Sequence, residues 1–238
     1  MHDISIAKNI LKKIIPQANP ESDKYRVASL YLPMEEIGGD YYDYIDFLER
    51  DYLGIFISDV SGRGIPACLI TSMIKILINT SGINKLSPGN MLSYINNELA
   101  GNIGDNFVTA FYAILDTDDN RLTYARGGHP FPLLVRGDTI TEIKSSGNFM
   151  GTAKNQLFHE AEITLQPGDK VIFYTDGLLE AGDGNGVMFQ EAALPAVLKA
   201  HAGLPINGYF DAIRKALVDF RGSTVFDDDI CMIGLELK

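Results

Sequence analysis

The chain has 238 residues, a length that fits one large domain or two small ones. Hydrophobic residues make up 46% and charged residues 21%, which is typical of a globular chain that buries a sizeable core. With 20 Lys and Arg against 31 Asp and Glu the formal net charge is −11, and this acidic balance, with no basic stripe, argues against nucleic-acid binding.

The first predicted element is an amphipathic helix at the N-terminus. Its apolar residues recur at helical spacing and Pro16 ends the run; they are Ile4, Ala7, Ile10, Leu11 and Ile14. The apolar face must pack on the rest of the chain, on a partner, or on a second copy in a homodimer. We therefore predict a signalling or dimerisation helix over residues 1–19 and a single domain over 20–238.

The next predicted elements are three strands followed by two helices. Aromatic and β-branched residues predict strands at 25–31, 41–48 and 52–58. A helix is predicted from about Ile65 to Thr80, and a second begins at Ser87-Pro88, an N-cap followed by proline at the first helical position.

The middle of the chain changes to short strands separated by turn residues. These runs are 107–115, 121–126, 131–136, 139–143, 161–165 and 170–175. Connections this short force antiparallel pairing. The chain closes with helices at 190–202 and 206–221 and a last strand at 230–237.

Many antiparallel strands with two separate helix pairs indicate an α+β fold. Each helix pair needs an apolar sheet face to cover. The expected architecture is therefore a four-layer αββα sandwich, two antiparallel sheets flanked by helix pairs.

The two cysteines and the hydropathy pattern indicate where in the cell the protein is expected. Cys68 and Cys231 each lie in an apolar run, where a thiol behaves as a small hydrophobe, so no disulfide is predicted. No segment reaches the ~18 apolar residues of a membrane span, and the N-terminus does not resemble a signal peptide. A cytoplasmic protein is expected, without membrane or nucleic-acid partners.

Acidic residues recur next to glycine or turn residues at the edges of apolar strands. Asp40 follows two glycines, Asp59 and Asp176 each end an apolar run, and Asp228 and Asp229 precede the last strand. Gathered together, such carboxylates would repel one another unless cations neutralised them. All-oxygen ligands suit Mg²⁺ or Mn²⁺, and two such ions can clamp phosphoryl oxygens. Each Asp is also an ordinary turn residue, so these positions alone leave a two-metal hydrolase and a purely structural role both open.

A series of motifs in one order carries a family resemblance. They are Gly38-Gly39-Asp40-Tyr41-Tyr42-Asp43, Asp59-Val60-Ser61-Gly62-Arg63-Gly64, Phe107-Val108-Thr109-Ala110, Gly128-His129-Pro130, Pro167-Gly168-Asp169, Tyr174-Thr175-Asp176-Gly177 and Asp228-Asp229-Ile230. Together they resemble the SpoIIE/RsbU-type serine phosphatases, the bacterial branch of the PPM (protein phosphatase 2C-like) superfamily, from about residue 20 to the end. Gly39 stands where the eukaryotic branch has an acidic residue, as is usual in the bacterial branch.

The resemblance implies a centre of two Mn²⁺ or Mg²⁺ ions. Carried over by position, Asp40 and Asp59 would be ligands, with Asp59 bridging the ions and the Val60 carbonyl contributing. Asp176 and Asp228 would complete the set, and Asp229 would lie in the outer layer around the ions. The implied reaction is direct attack on phosphorus by a water that bridges the metals, without a phosphoenzyme.

Four further polar residues receive assignments from the sequence. Arg63 is a candidate to orient the phosphate, although a solvated loop cation fits the sequence equally well. His129 is a candidate general acid, but a role in holding its turn is favoured. Asp43 and Asp46 are expected to face solvent.

The resemblance suggests a phosphorylated regulatory protein as substrate, namely a STAS-type anti-sigma-factor antagonist, with an upstream sensor or receiver domain as a further partner. The alternative is a catalytically weak phosphatase-like module that binds a partner in a partner-switching pathway. A third hypothesis is a two-metal hydrolase that acts on another phosphoester.

Overall fold

The computed structural model describes residues 10–34, 38–47 and 51–238. Contacts divide the chain into two compact units, and each contains its own five-stranded antiparallel sheet. The first unit comprises Met1–Gln17, Glu35–His129 and Ser145–Leu165. The second comprises Ala18–Met34, Pro130–Lys144 and Gln166–Lys238. Each unit therefore combines segments that are distant in sequence.

The strands and helices follow the predicted order. The strands are β1 Tyr25–Leu32, β2 Tyr41–Asp46, β3 Tyr52–Val60, β4 Val108–Asp116, β5 Arg121–Gly127, β6 Leu133–Arg136, β7 Thr139–Glu142, β8 Ala161–Thr164, β9 Lys170–Tyr174 and β10 Ile230–Leu237. The helices are α1 Ile65–Thr80, α2 Pro88–Leu99, α3 Gly177–Glu180, α4 Phe189–Ala192, α5 Leu194–Ala200 and α6 Ile206–Arg221.

The first unit has the strand order β2-β3-β4-β5-β8 with α1 and α2 packed on it. β4 is its best buried strand, with every residue but the last buried, because β3 and β5 flank it and α2 covers it. α2 begins as predicted, since the Ser87 hydroxyl accepts a hydrogen bond from the Asn90 N–H at 3.2 Å.

Part of the predicted N-terminal helix lies on this unit. Residues 10–14 are helical, and residues 1–9 lie outside the described part of the chain. Leu11 is buried in a cluster with Cys68 of α1, whereas Ile10 is 53% exposed. One side of the helix therefore covers α1, and the boundary after residue 19 stays a prediction.

The second unit has the strand order β1-β10-β9-β6-β7, with α6 against β1 and β10. All eight residues of β10 are buried. Gly234 lets α6 approach closely, since a Cβ there would lie 2.5 Å from the Ile206 Cδ1. The helix predicted at 206–221 is confirmed, and its inner face is apolar: Ile206, Phe210, Ile213 and Leu217 are buried.

The predicted α+β class with two antiparallel sheets and accompanying helices is confirmed, with differences in detail. The helix predicted at 190–202 is two short helices, Phe189–Ala192 and Leu194–Ala200, and Pro195 stands at the start of the second. A 3-10 helix, Gly82–Leu86, was not predicted. In the described ranges no helix is both long and apolar enough to cross a bilayer.

The prediction that Asp43 faces solvent is wrong. Asp43 is 5% exposed and lies on the face of β2 that also carries Tyr41. Its Oδ2 accepts hydrogen bonds from the Tyr41 hydroxyl and the Lys75 ammonium, each at 2.7 Å. A cation from α1 thus makes burial of the carboxylate tolerable. Asp46 is exposed, as predicted.

Candidate metal centre

The first unit brings two of the predicted ligands to one end of its sheet. β2 and β3 are antiparallel, and Tyr41 pairs with Ser58. Asp40 directly precedes β2 and Asp59 is the penultimate residue of β3, so the two carboxylates lie at the same end of neighbouring strands. Asp40 is 2% exposed and Asp59 is half-buried.

Gly39 packs against the end of β3 too closely to carry a side chain. A Cβ on Gly39 would lie 2.8 Å from the Val60 carbonyl oxygen and 3.5 Å from Asp59 Oδ1. The glycine therefore keeps the space beside the Val60 and Asp59 oxygens clear, and we call this space the cradle at Gly39. Carboxylate and carbonyl oxygens are the donors that Mg²⁺ and Mn²⁺ prefer, so the residues of this cradle fit a hard cation.

Two hydroxyl groups hold the cradle. The Thr71 hydroxyl of α1 contacts the Gly39 carbonyl oxygen at 3.3 Å and the Ala67 carbonyl oxygen at 3.0 Å. The Ser61 hydroxyl accepts from the Phe107 N–H at 2.9 Å and so joins the loop after Asp59 to the start of β4. Sequence reasoning assigned neither residue a role at the site. A serine a few residues after a predicted strand is a weak signal, and the sequence around Thr71 gives none.

Arg63 lies in the loop between β3 and α1. It is exposed, and Gly62 and Gly64 on either side have φ of +85° and +75°. No hydrogen bond or ion pair joins Arg63 to another residue in the described part of the chain. Its predicted role toward phosphate stays a prediction.

The second unit presents Asp176 and Asp228 from two neighbouring strands. β9 and β10 are antiparallel, and Tyr174 pairs with Met232. Thr175 joins the strand ends: its N–H donates to the Cys231 carbonyl oxygen at 3.0 Å, and its hydroxyl accepts from the Cys231 N–H at 3.0 Å. Asp176 follows this junction on one strand, and Asp228 precedes it on the other.

The environment of these two groups disfavours negative charge in the metal-free protein. Burial raises the pKa of Asp176, and the charge of Glu180 adds to this. Partial burial raises the pKa of Asp228, and the negative charges of Asp176 and Asp229 raise it further. The Asp229 N–H, which donates to Asp228 Oδ1 at 2.8 Å, opposes this rise because it stabilises the charged carboxylate. A bound cation would relieve the repulsion, so this donor set also fits a metal ion.

Asp229 differs from Asp228 in its surroundings. It is 8% exposed, and its Oδ1 accepts from the Met34 N–H at 2.8 Å. Its carboxylate therefore links the start of β10 to the segment after β1, next to the predicted ligand.

His129 is fully buried at the end of the first unit. Its Nδ1 lies 2.8 Å from the Thr109 hydroxyl, and its carbonyl oxygen accepts from the Arg126 Nε. These contacts support the favoured assignment of His129 to holding its turn.

Each unit thus supplies two of the four predicted carboxylates. Within the described residues of either unit, no group of three His, Cys, Asp or Glu side chains lies close enough together to hold a metal ion.

A family model described as Stage II sporulation protein E (SpoIIE) matches residues 49–238, which is well over half of the chain. Phosphoserine phosphatase RsbU of Bacillus subtilis (strain 168) is 26% identical over 99% of this chain and 70% of its own length. Phosphoserine phosphatase RsbP of the same organism is 25% identical, and the chain spans only 58% of its length.

A solved structure has the same fold. The SiaA-PP2C domain of Pseudomonas aeruginosa has a TM-score of 0.84 at 21% identity, covering 100% of this chain and 96% of that domain. This likeness confirms a PP2C-type fold. The chain belongs to the SpoIIE family, the RsbU-type bacterial branch of the PPM superfamily, and is a phosphoprotein phosphatase.

Proposed function

We propose that the chain is a metal-dependent serine/threonine phosphatase in which Asp40, Asp59, Asp176 and Asp228 hold two Mn²⁺ or Mg²⁺ ions, with the Val60 carbonyl as a further ligand. The observation that carries the proposal is the cradle at Gly39. A residue without a side chain leaves the oxygens of Val60 and Asp59 accessible from one side. Family membership supports divalent-metal dependence in general.

The ions, when bound, supply the positive charge that activates water and neutralises phosphoryl oxygens. The chain itself supplies rigid placement. Asp59 is held in β3, and the Thr71 hydroxyl of α1 holds the backbone of Gly39. The hydrogen bonds between Thr175 and Cys231 hold together the two strand ends beside Asp176 and Asp228. Asp229 orients the carboxylate of Asp228, because its N–H donates to Asp228 Oδ1. Asp229 is itself held by the Met34 N–H, which donates to its Oδ1.

The charge of the chain bears on its substrate. A net charge of −11 repels a phosphorylated protein at long range, so local cations must dominate at the site. We include Arg63 in the proposal as a residue that contacts the phosphate; its exposure in the loop directly after Asp59 supports this.

We further propose that the substrate is a phosphorylated regulatory protein, a STAS-type anti-sigma-factor antagonist. The names of RsbU and RsbP, both phosphoserine phosphatases, support phosphoserine as the target residue. The N-terminal helix would join the catalytic domain to an upstream sensor or receiver domain, or to a second copy, through its exposed side at Ile10. A cytoplasmic location is part of the proposal, supported by the two buried thiols.

The test is phosphate release from an aryl phosphate and from a phosphoserine peptide, with Mn²⁺, Mg²⁺ or EDTA. We expect turnover with metal, none with EDTA, and losses of at least about 100-fold for Asp59→Asn and Asp228→Asn, since metal ligation is removed. Asp138→Asn, at an exposed turn, is the matched control and should retain activity.

Two results would contradict the proposal. Equal turnover in EDTA would exclude metal dependence. A folded protein that binds no Mn²⁺ would favour the phosphatase-like binding module instead.

A further inference from the structure

Arg221, the last residue of α6, bonds to two loops of the second unit that border the predicted ligands. Its Nη1 donates to the Gly182 carbonyl oxygen at 2.9 Å. Its Nε donates to the Val225 carbonyl oxygen at 2.6 Å and its Nη2 to Asp227 Oδ1 at 2.7 Å. One guanidinium group thus spans the loop after α3 and the loop before β10.

Each of these loops leads directly to a predicted ligand. The first begins where α3 ends, and α3 starts at the residue after Asp176. The second runs from the end of α6 to β10, and Asp227 is the immediate neighbour of Asp228. The contacts of Arg221 therefore connect the two loops that lead to these carboxylates.

Both loops are ordered by bonds of their own, so a change at Arg221 would be transmitted rather than absorbed. In the first loop Asp183 Oδ1 accepts from the N–H groups of Asn185 and Val187, at 2.7 and 3.2 Å. Gly182 also pairs with Met188. The second loop is anchored in the core by Phe226, which is 5% exposed.

The guanidinium is itself held in place. The side chain of Arg221 is only 15% exposed, and α6 packs along β1 and β10. Gly222, with φ of +67°, ends the helix directly behind it and turns the chain into the second loop. The planar guanidinium has N–H donors that point in several directions, so it can reach three acceptors on two loops at once. A lysine ammonium on its flexible stem cannot hold the same three contacts.

We propose that Arg221 is a positioning residue that fixes Asp228 relative to Asp176, so that the two carboxylates bind a cation with the required geometry. The inference rests on the proposed function. It assigns a role to the polar loop at 182–187 and to the end of α6.

The experiment measures Mn²⁺ affinity of the metal-free protein by calorimetry, without substrate. Arg221→Lys keeps the charge but loses the three-way contact. We expect its dissociation constant to rise about five- to tenfold, less than for a group bonded directly to a metal ligand, because Arg221 acts through the loops beside the ligands. Asp227→Asn removes one of the three contacts and should raise it about two- to threefold.

The matched control is Arg136→Lys. Arg136 makes a comparable bond set to Asp169, which directly precedes β9 at the strand end away from Asp176. This variant should lower the melting temperature and leave the Mn²⁺ dissociation constant within about twofold of wild type.

The outcomes separate the two proposals. If Asp228→Asn weakens binding but Arg221→Lys and Asp227→Asn bind as wild type does, the role of Arg221 is overturned and the proposed function stands. The same conclusion holds if Arg136→Lys weakens binding as much as Arg221→Lys. If Asp228→Asn binds as tightly as wild type, the ligand assignment fails, and the inference on Arg221 fails with it.

Discussion

Gly177 and Asp229 approach each other so closely that a Cβ on Gly177 would lie 2.0 Å from the Asp229 carbonyl oxygen. Gly177 is the first residue of α3 and follows Asp176, and Asp229 is the last residue before β10. The backbones that carry the two predicted ligands of the second unit are thus in direct contact. The glycine after Asp176 is a packing requirement of this unit.

Gly177→Ala should therefore destabilise the protein. The methyl group must push the Asp228-Asp229 segment away, and we expect a loss of at least about 2 kcal/mol in the free energy of unfolding, measured with urea. Gly203→Ala is the control, since a Cβ there meets nothing within 4 Å, and it should change stability by less than about 0.5 kcal/mol. Equal effects of the two substitutions would contradict the packing argument.

The ion pair between Lys75 and Asp43 predicts a second stability effect. Lys75→Met leaves the Asp43 carboxylate buried with its bonds to the Tyr41 hydroxyl and the Tyr44 N–H. Removing one partner of a buried pair costs about 3–5 kcal/mol, and we expect the lower end because these two bonds remain. Urea unfolding of Lys75→Met tests this.

The control for that pair is Lys215→Met. Lys215 bonds to Asp219 on the surface, with side chains 78% and 62% exposed. Its loss should leave the free energy of unfolding nearly unchanged, since exposed ion pairs contribute little. A similar cost for both lysines would mean that the Asp43 carboxylate is hydrated in solution.

Asp43 also marks the limit of prediction from sequence. Strand periodicity and turn residues located the strands and the long helices, because these signals are local. The burial of Asp43 depends on Lys75, 32 positions away, and no local pattern links the two. The same holds for Arg221, whose contact at Gly182 is 39 positions away.

The assignments at the candidate site come from the family motifs that cover it, and they stay predictions. Asp40, Asp59, Asp176 and Asp228 are named by their motifs, and the structure adds the reason for the glycines beside them. The supporting hydroxyls of Thr71 and Thr175 were not predicted. Their roles depend on which backbone group each hydroxyl meets, and that is set by packing rather than by spacing.

Because the pKa values of Asp176 and Asp228 are raised, the free energy of unfolding of the metal-free protein should depend on pH. Burial is the first cause in both cases, and a neighbouring carboxylate adds to it. The folded state therefore holds these protons more tightly than the unfolded chain. The stability they contribute is present below the ordinary carboxyl pKa of 3.8 and is lost as the pH rises through the raised values.

Asp228→Asn should consequently stabilise the metal-free protein at pH 7, by less than about 1 kcal/mol because the side chain is only partly buried and solvent screens its charge. The gain should disappear at pH 3, where wild-type Asp228 is protonated. Thermal unfolding in EDTA at both pH values measures it, with Asp211→Asn on the exposed face of α6 as the control. Destabilisation by Asp228→Asn at pH 7 would contradict the repulsion inferred for this site.

His129 provides the last prediction. A general acid must reach the leaving group, whereas His129 is fully buried and its Nδ1 bonds to the Thr109 hydroxyl. His129→Gln should therefore lower the free energy of unfolding by about 1–3 kcal/mol, the cost of disturbing a buried hydrogen bond. The kcat with Mn²⁺ should change less than about tenfold, because the general-acid contribution of about 10²–10⁴ is not at stake. Thr109→Val, which removes the same bond from its other side, should behave alike in both measurements. A kcat loss above 100-fold confined to His129→Gln, together with the loss of one limb of the pH–rate profile, would instead assign proton transfer to His129.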